Sequence, residues 1–483
     1  MNRMTRRRFI QGASATAGIL MPQACVLGAN NDIRVAVVGV GIRGRGLVQQ
    51  FRKVSGVRVV ALCDVDRKML GEQAQQFKER NEPVATYTDV RKLLEDRSID
   101  AVGITTPNHW HALMTIWACQ AGKDVYVEKP TSHNIWEGRQ AVTAAHKHKR
   151  IVQAGTQNRS DVGLRAAVEY LRSGKLGKVL WAHGIWFQRR ESIGKVDGPQ
   201  QVPSHIDYNL WTGPAPLKPL MRKNLHYDWN WDWSTGNGDM GNLGVHQLDD
   251  CRFLLGHTGL PSRVLSLGGR FGYVDDGQTP NTQLAILDYN RAPILIEIRT
   301  LPMVMESYRG VRLDKTRLRR FFSVIRCEQG YLGVGRGGGW AYDLQGRKIR
   351  QFKGDGGAGH PANFIKAVRS RKRSELRAEL EQGHFSSVLC HVANISYRSG
   401  ARSSPRQVRD VISSNPQSLE AFESLRKHLE LNRVNRKDTS VVLGPWLRLD
   451  PRTEKFVGET ATDRANGLLT REYRKPFVVP EKV

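Results

Sequence analysis

Three residues stand where proton transfer could be done: Lys129 in "YVEKPTS", and Asn242 and His246 in "TGNGDMGNLGVHQLDD". A lysine ammonium can donate to a substrate hydroxyl or help carry its proton. A neutral imidazole can take the proton of an alcohol while the carbon that bears it is oxidised. Lys129 follows the strand-like run "DVYVE" and precedes Pro130, whose fixed φ restrains it. In open α/β sheets ligands bind at the carboxyl ends of strands, which is where this places the lysine. Val245, Leu248 and Leu255 make an apolar stripe that predicts an amphipathic helix over 243–255. Asn242 and His246 are one helical turn apart, so the amide is expected to orient the ring. Asp249 and Asp250 lie within a turn of His246 and are the alternative partners.

A second group of residues points to a phosphate-bearing cofactor. "GVGIRG" gives Gly39-x-Gly41-x-x-Gly44, after a β-branched run and before a helical one. In that setting the first glycine permits the tight turn and the second lets backbone approach a pyrophosphate. The third lets helix and strand pack closely, with the helix N-terminus facing the phosphates. Ile42 and Arg43 belong to the same turn, and Arg43 and Arg45 are expected to meet phosphates or to be solvated. Asp64 stands 25 residues after Gly39, at the end of the second strand. A carboxylate there accepts from ribose hydroxyls and repels a 2′-phosphate, which favours NAD over NADP.

These residues need a scaffold, and the pattern from Ile33 supplies one. Apolar runs "IRVAVVGVG", "VRVVALCDVD", "DAVGITTP", "DVYVEKP" and "RIVQAG" read as strands. Between them, "LVQQFRKV", "DVRKLLEDR", "HALMTIWACQAG" and "IWEGRQAVTAAHKHK" read as helices. Strands apolar on both faces and separated by helices mean a doubly wound parallel sheet, ending near Gly155. Beyond it "KVLWAHGIWFQ" and "PILIEIRT" alternate with period two, predicting an open, mostly antiparallel sheet in an α+β domain. In "PILIEIRT" the face carrying Leu295, Glu297 and Arg299 is expected to meet solvent or a partner. Helices are expected at 161–173, 243–255 and 361–372, and loops at "GRGGGW" (335–340) and "KGDGGAG" (353–359). The expected division is a leader at 1–29, a Rossmann domain at 30–155 and a substrate and oligomerisation domain at 156–483.

Composition narrows the classes. The 483 residues carry a net charge of +28, with the basic residues scattered and no nucleic-acid module signature. Nucleic-acid binding is therefore not expected. The first 29 residues contain "TRRRFIQ", then the mild apolar run "GASATAGILM", then small residues. Charged start, short apolar middle and small-residue end describe a signal peptide, and the consecutive arginines followed by Phe9 point to the twin-arginine route. The expected location is periplasmic or secreted, with no stable membrane span. Six cysteines show no metal-ligand spacing, and no metal is expected. Cys63, Cys119, Cys251, Cys327 and Cys390 remain after the leader, an odd number that argues against a disulfide framework.

Taken together, "GVGIRG", "TPNHWH", "EKP" and the glycine-rich stretch before His246 resemble the Gfo/Idh/MocA oxidoreductases. The resemblance continues through "DYNLWTGPAP", "HPANFIKAVRS", "HFSSVLCHVANISYRSG" and "REYRKPF", and so covers nearly the whole chain after the leader. It implies a Rossmann domain followed by an open, largely antiparallel sheet, a homo-oligomer, and oxidation of a sugar or cyclitol hydroxyl by a bound nicotinamide. By the resemblance, Lys129 contacts substrate and His246 is the catalytic histidine. Thr106, Pro107, Asn108 and His109 belong to the loop around the cofactor, and Glu128 borders it beside Lys129. Trp229 and Trp231 match an aromatic stretch near the substrate. The family often has aspartate where this chain has Asn242. Two alternatives stay open: an enzyme that cleaves or epimerises glycosides while retaining NAD, and a non-catalytic sugar-binding protein on the same fold.

Overall fold

The computed structural model describes residues 32–302, 321–434, 440–459 and 462–483. The arginine-led segment at 1–29 lies outside the described residues.

The chain opens on β1 (Ile33–Val38), β2 (Val57–Cys63), β3 (Ala85–Tyr87), β4 (Ala101–Ile104), β5 (Asp124–Val127) and β6 (Val152–Ala154). These pair in parallel in the order β3-β2-β1-β4-β5-β6. β4 and β5 are buried along their whole length, as strands covered by helices on both faces must be. The order reverses between β1 and β4, which opens a crevice at their carboxyl ends. The helix Arg67–Lys78 and the short strand β3 were not legible in the sequence. That helix buries little apolar surface and owes its start to Asp66, which accepts from the Lys68 and Met69 amides.

The second sheet has twelve strands among the described residues. Its long path includes β7 (Val179–Phe187), β8 (Arg263–Gly269), β9 (Thr282–Asp288), β10 (Ile294–Arg299), β11 (Phe321–Cys327), β12 (Gly330–Gly335), β13 (Gly338–Asp343) and β14 (Lys348–Lys353). It is antiparallel except where β10 runs parallel to β7. One face packs on the helices Val162–Arg172, Val245–Leu255 and Leu380–Arg398 in a single large core. The expectation that the Leu295/Glu297/Arg299 face meets solvent or a partner is corrected. Every residue of β10 is buried, because the helices Pro405–Ile412 and Pro416–Leu431 of the same chain cover that face. Glu297 and Arg299 survive burial by pairing with each other, Glu297 pairing also with His183 at 2.8 Å. The expected loop at 335–340 is also corrected, since its second half is the start of β13 and only a tight hairpin turn precedes it.

The two halves are not separate in packing. Phe364, Ile365 and Val368 of the helix His360–Ser370 complete one face of the first sheet, and Phe477 and Val479 complete the other. The five cysteines expected to remain unpaired are free and buried. No helix among the described residues is long and apolar enough to cross a membrane.

Candidate active site

The glycine turn after β1 is built as its spacing requires. Gly39 has φ +83°, and a side chain there would meet the Thr105 and Thr106 backbone at 2.9 Å. A Cβ on Gly44 would fall 1.8 Å from the Gly39 carbonyl, so only glycine lets the helix Ile42–Arg52 approach this closely. Beside Gly41 there is open space. It faces a cavity of about 390 Å³ that runs along the carboxyl ends of the strands, from Asp64 past Thr106 and Asn108 to Lys129 and Asn242. Ile42 presents an almost fully exposed apolar side chain at its edge. Asp64 accepts from the Val40 amide at 2.7 Å and the Asp66 amide at 2.9 Å, so it shapes the turn while keeping lone pairs for a ligand. Burial pushes its carboxyl up, partly offset by those two amides. An open helix N-terminus, a glycine cradle and a carboxylate at the next strand end fit a dinucleotide.

The other expected cofactor residues divide. Thr106, Pro107 and Asn108 line the cavity. Asn108 is fixed there by donating to Asn237 Oδ1 at 3.0 Å. His109 is a correction: its ring is buried between the Trp211 and Thr235 carbonyls, at 3.0 and 3.3 Å. Burial lowers its pKa to about 3, with Arg471 adding to the effect. It fastens the loop to the second domain from behind. Arg43 lines the cavity with its guanidinium turned to the wall. Its Nε donates to Glu128 Oε1 at 2.6 Å and Nη2 lies 3.3 Å from the Tyr126 hydroxyl, so its charge is spent on Glu128. Glu128 further accepts from Gln157 at 2.9 Å, which makes it an anchor on the cavity wall. Arg45 pairs with Glu72.

Lys129 projects from the end of β5 and donates from Nζ to the backbone carbonyl of Asn242; the Asn242 Oδ1 is 3.4 Å away. Burial pushes the ammonium pKa down and Arg43 adds to this, while Glu128 opposes both. His246 is electrostatically coupled to Lys129. Burial and then the Lys129 charge bring the imidazole pKa down to about 3, leaving the ring neutral across the working range.

The expected pairing of Asn242 with His246 is corrected. Residues Met240–Gly244 form a π turn, and the α-helix begins only at Val245. The one-turn rule presumes α geometry, and the wider turn gives Asn242 to Lys129 instead. The alternative carboxylates are committed elsewhere. Asp249 accepts from Arg159 at 2.8 Å and from Ser386 at 2.6 Å, and Asp250 from Asn158 at 3.0 Å. Burial and the Asp249 charge push the Asp250 carboxyl well up. Among the described residues no side chain hydrogen-bonds the His246 ring. Its low pKa comes from burial and a neighbouring cation.

Sequence reasoning missed His111 and Asn237. The His111 ring nitrogens face the Thr106 and Pro130 carbonyls at 2.7 and 2.6 Å, tying the cofactor loop to the lysine loop. Asn237 receives Asn108 and donates to the His133 carbonyl at 2.9 Å, bridging the domains. "TPNHWH" held the first signal, and nothing near Asn237 distinguished it from a loop residue. Trp229 lines this cavity, whereas Trp231 lines a neighbouring one.

Comparison with known proteins agrees with this architecture. A curated relative, glycosyl hydrolase family 109 protein 2 of Shewanella sp. (strain ANA-3), is 25% identical over 240 residues, 43% of this chain and 52% of the relative. The chain thus spans about half the length of the curated relatives it matches. Among solved structures, the WlbA dehydrogenase of Bordetella pertussis in complex with NADH and UDP-GlcNAcA superposes with a TM-score of 0.54. It is 18% identical and covers 76% of this chain and 96% of its own. A levoglucosan dehydrogenase in complex with NADH has a TM-score of 0.55 and is 16% identical, covering 86% and 99%. These two share the fold. An oxidoreductase-family model for an NAD-binding Rossmann fold matches residues 33–156, and the same family's C-terminal α/β domain matches 183–265. Two models of one family, the Gfo/Idh/MocA oxidoreductases, thus match this chain in order on the two sheets described above.

Proposed function

We propose that the protein is an NAD-dependent oxidoreductase acting on a hydroxyl of a sugar, cyclitol or sugar derivative. The observation that carries this reading is the position of Lys129. Its buried ammonium stands at the far end of the same cavity that begins at the Gly39–Gly44 turn. A nicotinamide bound there supplies the two-electron acceptor. Lys129, with its pKa lowered by burial, donates to the substrate oxygen and exchanges the proton. His246 stays neutral beside Lys129; an imidazole at about 3 is too weak a base to hold the proton itself. Asp64 selects NAD by excluding a 2′-phosphate. The test is a panel of sugars and cyclitols with NAD and NADP, following formation of the reduced cofactor. Turnover with NAD that disappears in Lys129→Met supports the reading; equal turnover in that variant overturns it.

A second reading is favoured by the curated relatives' names, which are those of glycosyl hydrolases. In it the oxidation is transient, the glycosidic bond is cleaved or a centre epimerised, and NAD is restored in each cycle. Protein purified without added NAD that releases stoichiometric NAD on denaturation, and converts substrate with no net reduction, selects this reading.

Export by the twin-arginine machinery to the periplasm or medium is proposed on "TRRRFIQ" and the mild apolar run after it. Changing Arg6 and Arg7 to Lys should retain the protein in the cytoplasm, and unchanged export would overturn this. Self-association is proposed through the outer face of β12–β14, where Tyr331, Trp340 and Tyr342 are half-buried. Sedimentation as a monomer would overturn it.

A further inference from the structure

Behind the loop that carries Trp229 lies a second cavity, of about 530 Å³. Trp211 forms part of the wall of both. The composition of the second differs from the first. Arg471 enters it from the C-terminal segment and Arg398 from the end of the long helix Leu380–Arg398. Arg471 donates from Nη1 to the Ser234 carbonyl at 2.6 Å, but its Nε and Nη2 are buried with no hydrogen-bond partner. The Arg398 guanidinium lies 5.0 Å from the centre of the Trp233 ring. Neither arginine has an ion-pair partner among the described residues. His133 also borders the cavity, with both ring nitrogens buried and unpartnered.

Of the four acids that line this cavity, Glu472 is exposed to solvent and the other three are engaged, Asp228 accepting from Asn224 at 3.0 Å. Asp232 sits 3.7 Å from Arg222, and Asp276 accepts from the Val196 amide at 2.8 Å. What remains is two guanidiniums without an ion-pair partner among the described residues, and of these Arg471 has two buried unpaired donors. Buried donors left without an acceptor cost about 1–3 kcal/mol each, more when charged, so an acceptor is the missing component. Arginine forks match carboxylates in a bidentate manner, and a tryptophan beside them offers an apolar face with a polar edge. The volume suits one sugar unit with water.

We propose that this second cavity binds a saccharide unit bearing a carboxylate. Arg471 and Arg398 hold the carboxylate, and the sugar ring lies against Trp233. His133 stays uncharged, because burial and the Arg471 charge hold its pKa well down, and it serves as a neutral donor or acceptor to ring hydroxyls. The site goes beyond the proposed redox reading and does not depend on it.

The test uses the full chain, with D-glucuronate as the probe and D-glucose as its uncharged match, read by calorimetry and tryptophan fluorescence. Glucuronate should bind at least tenfold more tightly than glucose. Arg398→Gln and Arg471→Gln should each weaken glucuronate by about tenfold and leave glucose unchanged. Both side chains are partly buried, but only Arg471 has buried unpaired donors, so the Arg398 variant carries the test if the Arg471 variant fails to fold. Equal affinity for the two sugars, or glucuronate binding unchanged in Arg398→Gln, overturns the proposal. Lys129→Met separates this from the redox reading: it should abolish turnover and leave glucuronate binding intact, and loss of that binding would place the probe in the first cavity and overturn the second site. If Arg398→Gln raises KM for a glucuronide substrate, the carboxylate belongs to the substrate's far unit; an unchanged KM with weakened glucuronate binding marks a separate ligand.

Discussion

Lys129 crosses the crevice to the main chain of Asn242: its Nζ donates to the carbonyl oxygen, and the side-chain Oδ1 stands off at 3.4 Å. The contact that positions the lysine is therefore one that no side-chain substitution at 242 removes. Asn242→Ala should lower kcat less than tenfold, whereas Lys129→Met should lower it by ~10²–10⁴, the usual worth of an acid–base group. The dissociation constant for NAD, measured by calorimetry, should change little in either. A loss in Asn242→Ala as large as in Lys129→Met would show that the amide itself takes part.

Charge at position 242 should be felt by the lysine. Asn242→Asp places a carboxylate beside Nζ, which favours the ammonium and raises its pKa. The limb of the kcat/KM profile that reports Lys129 should then move to higher pH.

Glu128→Gln should do the opposite. Glu128 is the anion that raises the Lys129 pKa against burial and Arg43, so its removal lowers that pKa and shifts the limb to lower pH. Two substitutions that move one limb in opposite directions identify the titrating group; a limb that ignores both belongs to another residue.

Asp64→Ala should do two things at once. It removes the acceptor of the Val40 amide, loosening the glycine turn, and it removes the charge that repels a 2′-phosphate. Affinity for NAD should fall by about tenfold and the preference over NADP should narrow. Calorimetric titration with both cofactors measures this, and an unchanged ratio would reduce Asp64 to a turn former.

Acid stability should depend on a buried group, Glu454, that lines neither cavity. Burial works against the charge of Glu454, but its contacts with His384 and Arg139 prevail and hold the carboxyl at about 2. The His384 Nε2 is 2.9 Å from Glu454 Oε1. In the unfolded chain a glutamate titrates near ~4.3, so the depressed native value adds stability above that pH, lost as pH falls toward the native value. Glu454→Gln should cost about 3 kcal/mol at neutral pH, with the gap to wild type closing between about pH 4.3 and about pH 2. Urea melts across that range would show it, and a gap independent of pH would assign the cost to packing alone.

The sequence by itself determined what local physics dictates. β-branched runs apolar on both faces required a covered parallel sheet, and Gly39, Gly41, Gly44 and Asp64 carry their geometry in their spacing, because each acts within a single strand–turn–helix unit. Lys129 at a strand end was legible for the same reason. Tertiary structure decided everything that depends on what lies opposite. Arg43 turns to Glu128 because β5 ends beside the first turn of the helix, and no spacing between residues 43 and 128 announces that. Glu297 and Arg299 are buried because helices more than a hundred residues later fold over β10, where alternation alone read as an exposed face. Asn242 faces Lys129 because the helix begins with a π turn, and a π turn leaves no periodic signature in five residues. The second cavity is assembled from six separate segments around Arg398 and Arg471, and the unsatisfied donors of Arg471 exist only once the chain has closed around them.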